Sequence, residues 1–202
     1  MHFAMEDPAH KKYAIFESTL RLVRDHGFHG APMSLVAKNA GVAAGTIYHY
    51  FASKEQLICE LYDYNRTRML SVIDSSIKEE STYRENFLNI WTGLYKFYVH
   101  EPNVLIFFEQ FLNSPFNVSK HPNFSRGQLY SFFSEGVKKG ILKRLKPEIL
   151  LVLMMGSVSS TAKLNLFGKV PLTRQDLERI AGISWDGLVS DEWKNDSRNA
   201  LK

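Results

Sequence analysis

Signals that begin and end helices recur along nearly the whole chain, and they constrain the fold more than any other feature. Asp7-Pro8 has the form of a helix start, with Asp at the N-cap and Pro in the first turn. From there Phe16, Leu20 and Val23 recur at helical spacing. Gly27 then ends the run. The later apolar runs also have helical length and caps, and none alternates as a strand would, so the sequence predicts an all-α protein.

The same signals divide the rest of the chain into further helices. Ser53 and Gln56 form the pattern of a capping box at the start of a long helix. Thr173 and Asp176 form the same capping-box pattern at the start of the last helix. The predicted helices span 8–26, 32–39, 44–50, 53–78, 83–100, 102–113, 124–139, 147–167 and 173–193, with a loop at 114–123 and a loose tail at 195–202.

Composition excludes several classes of protein. The chain has 202 residues and a net charge of +4, which suits an anionic partner but is common in proteins that lack one. Cys59 is the only cysteine, so no intramolecular disulfide is possible, and no Cys/His cluster has zinc spacing. Residues Met1–Lys12 contain no apolar run of signal-peptide length, and the longest apolar-rich stretch, Ile149–Val158, is too short to cross a bilayer. We therefore expect a cytoplasmic protein without membrane association, metal or other cofactor.

The stretch from Gly27 to Lys54 has the pattern of a helix-turn-helix. A short helix, a glycine-containing turn and a second short helix follow one another at the usual lengths. Gly41 suits the left-handed conformation that such a turn often requires, and Ala37 is small enough for the two helices to cross closely. This pattern alone is a moderate signal, because short helices with glycine turns occur in many proteins.

The second short helix carries an unusual outer surface. Ile47 and Phe51 share one face and should point into the core. The residues left outside are rich in hydroxyls and include an imidazole, which suits hydrogen bonds to phosphates and contacts with base edges. These outward residues are Thr46, Tyr48, His49 and Tyr50.

Three short sequence motifs resemble those of a known family: Ala37–Val42 (AKNAGV), Gly45–Phe51 (GTIYHYF) and Ser53–Leu57 (SKEQL), with Gly27-Phe28 before them. Over about residues 8–60 the sequence resembles the tetracycline-repressor (TetR) family. The resemblance implies a helix-turn-helix DNA-binding domain at 1–54 and a helical ligand-binding and dimerisation domain at 55–202. Such proteins usually repress transcription as homodimers on a pseudo-palindromic DNA operator, and they release it when a small molecule enters the second domain.

The resemblance also assigns DNA contacts by position. Tyr48 and Tyr50 look like phosphate contacts, and His49 looks like a base-reading residue. Two departures affect specificity, because Ala31-Pro32 and Ala43-Ala44 stand where family members tend to carry hydroxyl side chains. The full set of expected DNA-binding residues is Ser34, Ala43, Ala44, Gly45, Thr46, Tyr48, His49, Tyr50 and Lys54.

The second half of the chain is rich in aromatic residues at helical spacing. Most aromatic stripes of this kind belong to the hydrophobic core, and some line a cavity. We therefore expect an apolar ligand pocket in this half of the chain, although the pattern does not distinguish pocket residues from core residues. The residues that we assign to such a pocket are Trp91, Tyr95, Phe108, Phe111, Phe133 and Met154.

A dimer interface is expected in the last two long helices. One recognition helix reads only a few base pairs, and a dimer places two of them about 34–36 Å apart in successive major grooves. Both helices carry apolar stripes that could pair with their two-fold copies as a four-helix bundle, or could simply pack on their own chain. The expected interface residues are Met154, Ser157, Leu177, Ile180, Ala181, Ser184, Trp185 and Leu188.

Two other functions remain as alternatives. An enzyme would need a recognisable catalytic motif, and the sequence contains no nucleophile elbow, phosphate loop, dinucleotide fingerprint or HExxH motif. A DNA-binding dimer without any small-molecule ligand, controlled by a protein partner or by its abundance, keeps every DNA-binding residue. The sequence does not separate this regulator from a ligand-controlled one.

Overall fold

The computed structural model describes residues 8–117 and 127–199. Within these ranges the protein is helical, and its only extended pairing is a single bridge between Leu142 and Val189. This confirms the predicted all-α class. The helices are α1 (Pro8–His26), α2 (Met33–Asn39), α3 (Ala44–Tyr50), α4 (Lys54–Ser76), α5 (Tyr83–His100), α6 (Pro102–Leu112), α7 (Gln128–Lys138), α8 (Pro147–Leu166), α9 (Arg174–Leu188) and α10 (Asp191–Asn199), with a 3₁₀ turn at Pro115–Asn117.

Most predicted helices agree with these bounds to within about two residues. The seventh helix begins later than the predicted residue 124, because Gly127 is its N-cap with φ 136°. Residues 124–126 lie outside the described residues, as does the predicted N-cap Asp7. Thr173 and Asp176 do form the predicted capping box at the start of α9.

The end of the chain differs from the prediction of one helix to Trp193 and a loose tail. Val189 leaves the helical conformation and pairs with Leu142. The Ser190 hydroxyl donates to the Gly140 carbonyl at 2.6 Å and accepts from the Trp193 N–H at 3.1 Å, so it caps a new helix. α10 therefore includes residues 195–199 of the predicted tail, while 200–202 lie outside the described residues. A serine cap fixed by tertiary contact has no marked signal in the sequence.

The chain forms two compact units. The N-terminal unit comprises Met1–Arg66 and Pro102–Pro122, and the C-terminal unit comprises Thr67–Glu101 and Asn123–Lys202. α6 packs against α1 and so belongs to the N-terminal unit, and the domain boundary at residue 54 stays a prediction.

The N-terminal unit is built around the apolar face of α1. Phe16 and Val23 are buried there, and the Phe16 ring lies 5.6 Å from that of Phe51. The buried Ser18 hydroxyl donates to the Val36 carbonyl at 2.9 Å and ties α1 to α2. These contacts hold the short helices of the predicted helix-turn-helix on a rigid support, since close-packed cores resist movement.

The C-terminal unit is centred on α5, which packs against α8 and α9. Phe87 and Trp185 meet with ring centroids 5.3 Å apart, and Tyr83 stacks on Phe132 at 4.2 Å. Thr82 and Glu85 form a capping box at the start of α5. α8 is long and apolar enough to cross a membrane by length and composition, a test that core helices of soluble proteins also pass.

Candidate nucleic-acid interface

The helix-turn-helix is formed by α2, α3 and the turn between them. Gly41 adopts φ 70°, the left-handed conformation predicted for it, which a side chain would strain. The N–H of Val42 donates to the Ala37 carbonyl at 3.0 Å and closes the end of α2. Ala37 is buried, as expected for the point where two helices approach closely.

The inner face of α3 is buried as predicted. Ile47 and Phe51 are both fully buried, and Val36 of α2 is buried with them. Val42 is only half-buried, because it lies in the turn at the edge of the unit. Because these two large apolar side chains are buried on one face, the opposite face of α3 is the one exposed to solvent.

The opposite face of α3 presents polar groups that the protein itself does not use. The Tyr48 side chain is 58% exposed, and His49 is exposed beside it. Thr46 and Tyr50 are half-buried at the margins of this face, and Ser34 of α2 is exposed. Within the described part of the chain, no hydrogen bond is made by the side chains of Ser34, Thr46, Tyr48, His49 or Tyr50.

The start of α3 is small and open. Ala43 is its N-cap and makes no side-chain capping bond, and Ala44 and Gly45 are exposed next to it. A methyl or a hydrogen in place of a larger side chain lets the backbone N–H groups approach a neighbouring phosphate. α2 likewise begins after Pro32 without a side-chain cap.

Lys54 is the first residue of α4, and its side chain is held by a hydrogen bond that the sequence does not predict. Its ammonium donates to the Phe28 carbonyl, and partial burial lowers the pKa of the Lys54 side chain. Ser53 caps the helix by accepting from the Gln56 N–H at 3.1 Å. The side-chain amide oxygen of Gln56 accepts from the Ala52 N–H at 2.8 Å, whereas a capping box would use the N–H of Ser53, one residue later.

Two cations of the N-terminal unit are already paired. Lys12 lies 2.8 Å from a Glu60 carboxylate oxygen. Arg24 holds Asp25 with bonds of 2.7 and 3.1 Å, and this hydrogen bonding lowers the pKa of Asp25. Attraction to a phosphate backbone therefore depends on the placement of the remaining cations more than on their number.

The six residues assigned to a ligand pocket are divided between the two units. Phe108 and Phe111 lie on α6 of the N-terminal unit and contact the Tyr62 ring. In the C-terminal unit, Trp91 stacks on Tyr95 at 5.8 Å and donates its N–H to the Ser157 hydroxyl at 2.8 Å. The two remaining residues, Phe133 and Met154, are fully buried in the C-terminal unit. Their pocket role remains a prediction.

The residues assigned to a dimer interface fall into two groups. Met154, Ala181, Trp185 and Leu188 are buried within their own chain, because α8 and α9 both pack against α5, so they offer little surface to a partner. The other four, Ser157, Leu177, Ile180 and Ser184, are half-buried.

An exposed apolar stripe lies beside these residues, and sequence reasoning did not single it out. Leu153 is 52% exposed and Ile183 is 71% exposed. α8 is apolar on several faces, so it buries one apolar face inside the unit and leaves other apolar side chains exposed. The stripe consists of Ile149, Val152, Leu153 and Leu164 on α8 with Ile183 on α9.

Comparison with known proteins agrees with this architecture. Residues 15–61 match the bacterial regulatory proteins of the tetR family, and residues 82–189 match a tetracyclin repressor-like C-terminal domain. An uncharacterised HTH-type transcriptional regulator of Haemophilus influenzae is 26% identical over 86% of this chain and 93% of its own length. The fatty acid metabolism regulator protein of Bacillus subtilis is 32% identical, over 40% of this chain and 42% of its own.

Solved structures show the same fold. A TetR family transcription regulator from Marinobacter aquaeolei has a TM-score of 0.83 and 25% identity, covering 90% of this chain and 97% of its own. The regulator FadR of Bacillus subtilis, solved in complex with stearoyl-CoA, has a TM-score of 0.63 and 20% identity, covering 86% and 95%. At 20% identity, the similarity to FadR shows a shared fold and nothing more. Together, the N-terminal and C-terminal matches show that this chain belongs to the TetR family of DNA-binding transcriptional regulators.

Proposed function

We propose that this protein is a dimeric repressor that binds a pseudo-palindromic operator through α3 and releases it when an apolar ligand binds the C-terminal unit. The observation that carries the DNA-binding part is the outer face of α3. Tyr48 and His49 are exposed, and neither makes a hydrogen bond to any described residue. Exposed hydroxyl and imidazole groups on a helix can form hydrogen bonds with phosphate oxygens and base edges.

Dimerisation follows from the length of α3. Seven residues contact too few base pairs for useful selection of one site in a genome, and a two-fold pair doubles the site. The exposed apolar stripe of α8 and α9 is the surface that we assign to this pairing, with half-buried Ile180 and Ser184 beside it. An isologous contact of this kind buries side chains that are costly to leave in water.

The proposed effector is apolar because the interior of the C-terminal unit is apolar and aromatic. Trp91, Phe133 and Met154 are fully buried there. The name of a Bacillus subtilis relative mentions fatty acid metabolism, and a Bacillus subtilis regulator of the same fold was solved with stearoyl-CoA. We therefore choose stearoyl-CoA as the first compound to test, and a change of its acyl chain length as the second.

Selection of bound sequences from random DNA with the purified protein tests the proposed function. We expect an enriched site with two-fold symmetry and half-sites about one helical turn apart. Tyr48→Phe and Tyr50→Phe should each weaken binding by about 1 kcal/mol on every sequence, while His49→Ala should change the preferred base. Failure to enrich any sequence would contradict operator binding.

The effector is tested by adding stearoyl-CoA to the operator complex. Release of DNA together with a higher melting temperature of the free protein would support ligand control, since a ligand of the folded state stabilises it. Symmetrical operator binding without release by apolar compounds would favour the alternative, a DNA-binding dimer controlled by a protein partner or by abundance.

A further inference from the structure

A groove of about 710 Å³ opens on the N-terminal unit. It lies between the segment that follows α1, the first residue of α4, the last turns of α6 and the 3₁₀ turn after it. This volume is within the usual range for binding sites of drug-sized molecules. The lining residues that carry the argument are Phe28, His29, Lys54, Gln110, Asn113 and Phe116.

Two aromatic rings form the apolar wall of the groove. Phe28 and Phe116 meet edge to face with centroids 5.2 Å apart, and Phe28 also packs on the buried Phe107 at 5.8 Å. Aromatic pairs of this geometry hold each other in place and present flat surfaces to a ligand. A planar apolar group therefore finds a preformed surface here.

The floor of the groove is also held in place. The Gln110 amide donates to the Val23 carbonyl at 3.0 Å, so this side chain is fixed to the end of α1. Gly27 follows with φ 66°, a conformation that directs the chain from α1 into the groove wall. A preformed site costs less ordering entropy on binding than one that must be assembled.

Lys54 gives the groove its chemical preference. Its ammonium donates to a neutral partner, the Phe28 carbonyl, and no carboxylate lies within ion-pair distance of it among the described residues. A partly buried cation without an anionic partner gains from pairing with one. Lys54 supplies a single positive charge, so it matches a ligand with a single carboxylate.

We propose that this groove binds a small planar aromatic molecule with a single carboxylate, its ring against Phe28 and Phe116 and its carboxylate on Lys54. This site lies within the N-terminal unit and is distinct from the effector site proposed for the C-terminal unit. Lys54 is also an expected contact of the DNA backbone. A carboxylate bound to Lys54 thus competes with a phosphate for the same ammonium and lowers the affinity for DNA.

Direct binding is measured by calorimetry on the full chain with 1-naphthoate as the probe. We expect one bound molecule per chain, and at least tenfold weaker binding of the neutral 1-naphthamide. Asn113→Trp fills the groove from an exposed position and should weaken naphthoate binding at least tenfold, as should Lys54→Gln. Lys138→Gln removes an exposed lysine of the C-terminal unit and is the matched control, with unchanged binding.

Two results would overturn the site without reference to DNA. One is the absence of naphthoate binding to the folded protein. The other is binding that Asn113→Trp and Lys54→Gln leave unchanged, which would locate the molecule elsewhere.

The competition is tested on the selected operator. Loss of one phosphate contact per chain, and so two per dimer, should reduce the slope of log affinity against log salt by about 1.8 when naphthoate is saturating. An unchanged slope with naphthoate bound in the groove would overturn the competition for Lys54. Because calorimetry needs no DNA, failure of operator binding and failure of this site give different results.

Discussion

The Gln110 side-chain amide donates a hydrogen bond of 3.0 Å to the main-chain carbonyl of Val23. The bond joins α6 to the last turn of α1, and it gives the Val23 carbonyl a second donor beside the Gly27 N–H. Residues Pro102–Leu112 follow α5 with only Glu101 between them, yet they pack with the DNA-binding helices. The segment that leads out of the C-terminal unit is thus bonded directly to the helix that supports α2 and α3.

Gln110→Ala should destabilise the N-terminal unit by about 1 kcal/mol, the net value of one hydrogen bond. The loss stays small because the Val23 carbonyl also accepts from the Gly27 N–H at 2.9 Å and is not left unpaired. Urea unfolding measures the change, with the exposed Gln128→Ala as the control. Equal free energies of unfolding for Gln110→Ala and the wild type would show that the bond contributes nothing.

Gly136→Ala should destabilise the C-terminal unit by about 1–3 kcal/mol, because an added methyl group overfills the packing. A Cβ at this position would lie 2.3 Å from the Tyr83 hydroxyl oxygen and 2.7 Å from a Leu142 methyl carbon. Gly182→Ala, in a helix with open space around the glycine, is the control and should be neutral or stabilising. Thermal unfolding measures both variants.

A double variant identifies the clash. Tyr83→Phe removes the hydroxyl that would meet the new methyl group, so Tyr83→Phe/Gly136→Ala should lose less stability than the sum of the single changes. Strict additivity would mean that the Tyr83 hydroxyl is not the limiting contact.

The capping box of α5 predicts a pH dependence of stability. Hydrogen bonds from the Thr82 N–H and hydroxyl lower the pKa of Glu85. A carboxyl whose pKa is lower when folded stabilises the protein above its unfolded pKa of about 4.3, and this contribution is lost as the pH falls through the folded value. Glu85→Gln should therefore reduce stability at pH 7 and flatten the loss of stability below about pH 4.3.

Urea unfolding between pH 7 and pH 3 measures this effect. Glu148→Gln, in the first turn of α8 without a capping bond from its N-cap Lys146, is the control. An acid limb of the same steepness in Glu85→Gln and the wild type would contradict a depressed pKa of Glu85.

Charges in the exposed apolar stripe should separate the proposed dimer. Leu153→Glu/Ile183→Glu places two carboxylates where the side chains are 52% and 71% exposed in the single chain, so folding should be retained. Burying such charges across a two-fold contact costs several kcal/mol. Sedimentation should show folded monomers with weak operator binding, whereas Gln128→Glu/Ser131→Glu on α7 should leave the dimer intact. A charged-stripe variant that stays dimeric would refute this interface.

Sequence patterns predicted local structure better than tertiary contacts. The left-handed Gly41, the buried Ile47 and the capping box at Thr173 each depend on a few neighbouring residues, and each is confirmed. The cap of α10 by Ser190 depends on the distant Gly140, and α6 joins the N-terminal unit through packing on α1. Such contacts join residues that are far apart in sequence, and hydrophobic periodicity does not predict them.

The same limit applies to the sites. The outward face of α3 could be read from its spacing, because only the helix itself decides which residues point outward. The groove beside Lys54 could not, since its walls come from three stretches that are far apart in sequence. Likewise, the apolar residues of α9 divide into buried ones such as Trp185 and exposed ones such as Ile183 only once the position of α5 is known.

Operator affinity of Tyr48→Ala/His49→Ala, measured by fluorescence anisotropy at fixed salt on the selected site, tests DNA recognition by α3 most directly. Both side chains are exposed and Ile47 and Phe51 stay in the core, so the melting temperature should be unchanged. Loss of two contacts at about 1 kcal/mol each predicts binding weaker by at least tenfold. A folded double variant with wild-type affinity would contradict DNA recognition by this helix.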